Sequence, residues 1–163
     1  MNKGFTLVES MIVMLLISFT LILVIPSWQY NQEKLLLQKE EQRLILFLKQ
    51  IQAIAETTNQ SWSLMVSKDH FSSHWCLLGQ KQHSHICDCL HLEQCPTMTS
   101  KQAYYPKFAT EVQISATKYY PQVLTFFNGK RNLSFSARIQ LKTENYQRLI
   151  SFNNLGNIKL KQE

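Results

Sequence analysis

From Phe5 to Trp28 the chain carries a single ionisable side chain, Glu9, in a run that is otherwise apolar or small and polar. At about 1.5 Å of rise per residue, a helix over this run reaches across a bilayer core of about 30 Å. Polarity rises at Gln29 to Lys34, after which Leu37, Leu44, Phe47, Leu48, Ile51, Ile54 and Ala55 recur at intervals of three, four and seven. That period predicts an amphipathic helix continuing outward from the apolar segment, with Glu40, Glu41, Arg43, Lys49 and Gln52 assigned by their polarity to the opposite, wet side. No glycine occurs between Phe5 and Leu78, and Pro26 is the sole proline there, so one long helix with at most one kink is expected. Thr57-Thr58-Asn59-Gln60 supplies its stop. A coiled-coil partner would also cover the apolar face, but strand-like sequence downstream offers an internal one.

The period then changes from helix to strand. Trp62 to Val66 and His74 to Leu78 read as short strands separated by the polar turn Ser67-Lys68-Asp69. Gly79 to Ser100 is polar and rich in Cys, His and Gln, as expected for a stapled loop. Strand patterning returns at Glu111 to Thr117 and at Gln122 to Phe127. Asn128-Gly129 then predicts a type I′ hairpin turn, since this dipeptide tolerates the positive φ values that turn requires. Leu133, Phe135, Ala137, Ile139 and Leu141 alternate with Ser134, Ser136, Arg138, Gln140 and Lys142, the pattern of a half-buried antiparallel strand. Tyr146 to Phe152 and Ile158 to Leu160 complete the set. The predicted class is α+β: a long N-terminal helix, membrane-spanning in its first half, packed on an antiparallel sheet head.

With 163 residues, a chain that gives about 28 to the N-terminal segment retains enough for one small domain. The formal charge of +6 and pI near 9.2 permit attraction to anionic partners without choosing among them. No nucleophile elbow, metal-binding helix or paired catalytic carboxylate is present, so no enzyme and no cofactor is expected.

The N-terminus carries a more specific signal. Met1-Asn2-Lys3-Gly4 is a short basic leader ending in Gly, followed at once by Phe5-Thr6-Leu7-Val8-Glu9. This arrangement resembles the type IV pilin superfamily, whose leaders are cut after Gly by a prepilin peptidase that also methylates the new N-terminal residue. The resemblance implies cleavage between Gly4 and Phe5, an N-methylphenylalanine at Phe5, and an assembly role for Glu9. Pro26 stands where pilin helices commonly carry a proline. An ordinary signal peptide would need a small-x-small cleavage site, and 24–28 offers none; a plain anchor would need neither Glu9 nor the Gly-Phe junction. Lys3 on the short side places the leader in the cytoplasm and the rest outside. The implied division is a leader over 1–4, a transmembrane and fibre-core helix over 5–28, its amphipathic continuation over 29–60, and a head over 61–163.

The C-terminal third is similar to the GspH/FimT group of pilin-like proteins, through Val123 to Gly129, Leu133 to Leu141, and Arg148 to Lys159. The likeness implies a minor pilin or pseudopilin of a type IV pilus or a type II secretion pseudopilus. Its implied partners are the prepilin peptidase, other pilin or pseudopilin subunits and the inner membrane, with the head in the periplasm. The alternative is a DNA-binding minor pilin of a competence pilus. FimT-like pilins carry Gly-Arg-x-Arg in their last turn, and Gly156-Asn157-Ile158-Lys159 stands in its place. Lys130, Arg131, Arg138, Lys142, Arg148, Lys159 and Lys161 are the cations that would grip phosphates.

Cys76, Cys87, Cys89 and Cys95 fall in one stretch, 76–95, in or beside which His70, His74, His83, His85 and His91 also lie. In an oxidising compartment an even cysteine count reads as two disulfides. Cys87 and Cys89 are too close to bridge each other, so Cys76 is expected to pair with one and Cys95 with the other. A zinc site on His83, His85, Cys87 and Cys89 is the competing reading, and would give a metal-binding periplasmic module on a membrane tether; it lacks a familiar ligand spacing, so no metal is expected.

Overall fold

The computed structural model describes residues 6–69, 72, 74–82, 85–96, 100–108, 111–114, 121–129, 136–153 and 155–162. Gly4, Phe5, His70, His83, Lys130, Arg131 and the expected strand positions 115–117 and 133–135 lie outside them. The class is α+β: one long helix followed by two antiparallel sheets.

Helix α1 spans Leu7–Thr58, 52 residues, or about 78 Å. It starts on Thr6, an extended N-cap whose hydroxyl accepts from the Glu9 amide at 3.3 Å, and it continues through Pro26 without interruption. It stops at Asn59, whose left-handed φ of 50° lets its own amide and that of Gln60 reach the Glu56 and Ala55 carbonyls.

Eight strands follow among the described residues: β1 Trp62–Lys68, β2 Trp75–Lys81, β3 Lys101–Tyr104, β4 Glu111–Ile114, β5 Gln122–Phe127, β6 Ala137–Lys142, β7 Gln147–Phe152 and β8 Ile158–Gln162. They form one sheet in the order β3-β2-β1-β5 and another in the order β4-β6-β7-β8, with every pairing antiparallel. The outer half of α1 packs Leu37, Leu44, Phe47, Leu48, Ile51 and Ala55 into a core completed by both sheets. A second, smaller core lies on the far face of the first sheet, where Met65, Cys76 and Leu78 are covered by Cys87, Cys89 and Cys95. β1 is therefore buried on both faces along most of its length, which is why its sequence reads as a nearly continuous apolar run.

Two expectations are corrected. Glu40, Glu41 and Gln52 are not on the wet side of α1; all three are buried. Glu40 and Glu41 stand three and four residues after Leu37 and four and three before Leu44, so helical spacing places them on the core face despite their charge. The type I′ turn expected at Asn128-Gly129 does not form either, since neither residue has positive φ. β5 pairs with β1 in the first sheet, whereas β6 pairs with β4 and β7 in the second. Gly129 has no positive φ; a Cβ there would lie 2.8 Å from Asn59 Cα and 2.9 Å from its carbonyl carbon. The glycine serves close approach of the strand end to the helix terminus. The glycine that does adopt positive φ is Gly156, at 74° in the β7–β8 turn.

Candidate functional site

Three regions carry the residues singled out from the sequence: the apolar half of α1, the outer face of the second sheet and the cysteine-bearing segment 76–95 on the first sheet. Between Leu7 and Ile25 every residue of α1 is exposed, large hydrophobics included, and this is the one helix among the described residues long and apolar enough to cross a membrane. Its small polar groups are satisfied within the helix. Ser10, Ser18 and Thr20 donate back to the carbonyls of Leu7, Met14 and Ile17 at 2.7–2.8 Å. In hydrocarbon such bonds remove the cost of an unpaired hydroxyl. Glu9 is the exception. It is exposed, sits third after the Thr6 cap as in a capping box, and enjoys the positive end of the helix dipole. That local role accounts for an acidic residue near a helix start, yet leaves a carboxylate standing in an apolar surface.

The outer half of α1 is tied to both sheets by neighbouring carboxylates. Glu40 is fully buried and accepts from Arg43 at 3.0 and 3.1 Å, from the Lys107 amide at 3.3 Å, and from the Tyr104 hydroxyl at the end of β3. Burial, then the hydrogen bond to Glu40 and its charge, push the Tyr104 phenol far above its ordinary range. Glu41 points to the other sheet, where Arg148 Nε lies 3.6 Å away with both side chains nearly enclosed. Lower on the helix, Glu33 accepts from the Asn145 amide at 3.2 Å and its side chain at 2.7 Å, and Tyr30 meets Tyr146 at 4.8 Å between ring centroids. Hydrogen bonds from Thr143 and Asn145 lower the pKa of Glu33. The sequence contained the spacing that puts Glu40 and Glu41 on the core face, but their charge argued against it.

The second sheet brings some expected cations together and removes one. Arg138, Lys142 and Lys159 are exposed, and Arg138 and Lys159 share a register row through Ser151. Position 161 pairs with Leu149 in the same ladder. Arg148 faces inward against Glu41 and is unavailable to a phosphate. The Gly156 to Lys159 segment borders an open groove of about 660 Å³ whose other wall is Lys49, Gln52 and Glu56 of α1.

Cys76 and Cys89 form a disulfide closing 13 residues. The expected second bridge is absent: Cys87 and Cys95 are free, buried and hydrogen-bonded to each other. The buried Gln80 side chain fastens this loop to β2, donating to the His85 carbonyl at 2.8 Å and accepting from the Cys87 amide at 3.3 Å. The alternating His/Cys strand needed for the zinc reading is not formed, since Cys89 is bridged and 85–90 is not a strand. Asp88 lies with Cys76 and Cys89 in a cluster of potential ligands, two of which the disulfide occupies.

The chain is 38% identical over 161 residues to an uncharacterized protein of Haemophilus influenzae (strain ATCC 51907 / DSM 11121 / KW20 / Rd), covering 99% of this chain and 95% of that one. It belongs to the same family as that protein. No protein-family profile matches the chain, and no solved structure does.

Proposed function

We propose that the protein is a minor pilin or pseudopilin, anchored in the inner membrane with its head in the periplasm and assembled into a type IV pilus or type II secretion pseudopilus after cleavage between Gly4 and Phe5. The observation that carries this reading is the single uninterrupted helix, apolar and exposed over its first half, buried in the head over its second, with Glu9 as the lone ionisable group of the apolar part. An anchor alone needs no carboxylate in that surface. A subunit that packs beside copies or relatives of itself has a use for one: the amine freed at Phe5 would pair with Glu9 of a neighbour, each charge offsetting the other's desolvation. The chain then acts by assembly and needs no catalytic step of its own.

Glu9→Gln is expected to leave processing nearly intact while lowering the fraction recovered in sheared fibres by about tenfold or more, a change of about 1.4 kcal/mol. Gly4→Val is expected to leave the leader attached. Mass spectrometry of membrane-extracted protein reads the cut directly, and a mature N-terminus other than methylated Phe5 would sink the proposal.

A second reading is favoured by one specific observation, the exposed Arg138, Lys142 and Lys159 on the second sheet. They suit non-specific phosphate contact of a competence pilin, although the inward Arg148 weakens the patch. Binding of duplex DNA by the full chain in detergent should then be micromolar or weaker and fall steeply with salt. Absence of any gel shift at low salt removes this reading.

A further inference from the structure

The β6–β7 turn is held against α1 immediately beyond the apolar segment. Tyr30 and Glu33, the residues it docks on, lie two and five positions past Trp28, so about 3 and 8 Å further along the helix axis. The headgroup layer beyond the hydrocarbon is about 5–8 Å deep on each side, so Tyr30 lies within it and Glu33 at its outer edge. Beyond this turn, Leu37 enters the core about 6 Å further along the axis, and the polar ties at Glu40 and Glu41 lie about 10 Å or more further out.

We propose that this turn is a foot resting in the headgroup layer of the membrane that α1 spans, and that it takes zwitterionic phospholipid headgroups. Three features favour a lipid over another occupant. Trp28 and Tyr30 are 60% and 54% exposed at the right level, as aromatic residues are at a membrane interface. Lys142 and Glu144 are exposed and line the same turn, a cation and a carboxylate that complement the phosphate and ammonium of a zwitterionic headgroup and cancel in net charge. Residues 142–147 also shape a concavity of about 220 Å³. The two hydrogen bonds from Asn145 to Glu33 fix the turn at this height, so the head cannot swing away from the surface without breaking them. The inference needs only the membrane-spanning helix and stands whether or not the chain enters a fibre.

The test uses the full chain in nanodiscs of phosphatidylethanolamine and phosphatidylcholine, one copy per disc, with a benzophenone amino acid placed at Leu16, Glu144 or Leu155. Lipid adducts after irradiation are measured by mass spectrometry. Adducts are expected at position 16, and at position 144 in several-fold excess over position 155, which lies in the β7–β8 turn. Glu33→Ala, which removes both hydrogen bonds to Asn145, should lower the adduct at 144 and leave that at 16 unchanged. Labelling at 16 without an excess at 144 over 155 overturns the foot while preserving the anchor, and no labelling at 16 overturns both. A protein–protein adduct in place of lipid at 144 overturns it in favour of a second copy.

Discussion

Arg148→Ala is expected to destabilise the fold by about 3–5 kcal/mol, the range for removing one partner of a buried ion pair. Arg148 Nε and Glu41 Oε2 lie 3.6 Å apart, with the side chains only 8% and 10% exposed. That separation exceeds a good hydrogen bond, so the pair is held by charge more than by geometry. Deleting the guanidinium leaves the Glu41 carboxylate in the core without a counter-charge, forced either to stay ionised at high cost or to take up a proton. Replacing both residues, as Glu41→Leu with Arg148→Met, should recover most of the loss, because an apolar pair of similar volume escapes the desolvation of two charges. Denaturant midpoints of the full chain in detergent give the comparison. A change within about 0.5 kcal/mol for Arg148→Ala, the range of an ordinary surface substitution, would show that the arginine is not enclosed in solution.

Loss of the Cys76–Cys89 bridge should have the next largest effect. A closed loop of this size contributes about 3 kcal/mol in the chain-entropy treatment, so Cys76→Ala is expected to cost about 2–4 kcal/mol. The damage should concentrate in the smaller core, seen as faster amide exchange over 85–96 with the α1 core little changed. The remaining thiols give a second readout. Burial first, and then contact with Cys95, push the Cys87 thiol up to about 11, so almost none of it is thiolate at pH 8. Alkylation at that pH should therefore modify no cysteine in native protein and two per chain after denaturation. Finding none after denaturation would mean that Cys87 and Cys95 have closed into a second bridge.

The elements governed by a single dominant pattern were legible from sequence. The apolar run and the 37, 44, 48, 51, 55 spacing gave α1 nearly to its last residue, because Asn59 is a residue that tolerates the left-handed cap. β5 matched its apolar run, and β7 and β8 were placed to within a residue or two. β3 was invisible, since Lys101-Gln102-Ala103-Tyr104 buries only Tyr104 well and lacks any alternation. Sheet membership was not legible either: Asn-Gly is a local turn signal, whereas the assignment of β5 and β6 to different sheets is set by contacts far apart in sequence. Candidate residues followed the same division. The inward Arg148 and the buried Glu40 and Glu41 carry conflicting signals, polarity pointing outward and spacing inward, and it is the tertiary fold that gives each buried charge its partner.

Because Glu40 and Glu41 are consecutive on α1, their side chains leave the helix about 100° apart, one toward β3 and the other toward β7. Together they act like a key with two bits, denying the head any rotation about the rod that carries it. The azimuth of the head is thereby slaved to the azimuth of the apolar half of α1. The direction in which Glu9 leaves the helix thus fixes the compass bearing of both sheets several nanometres away.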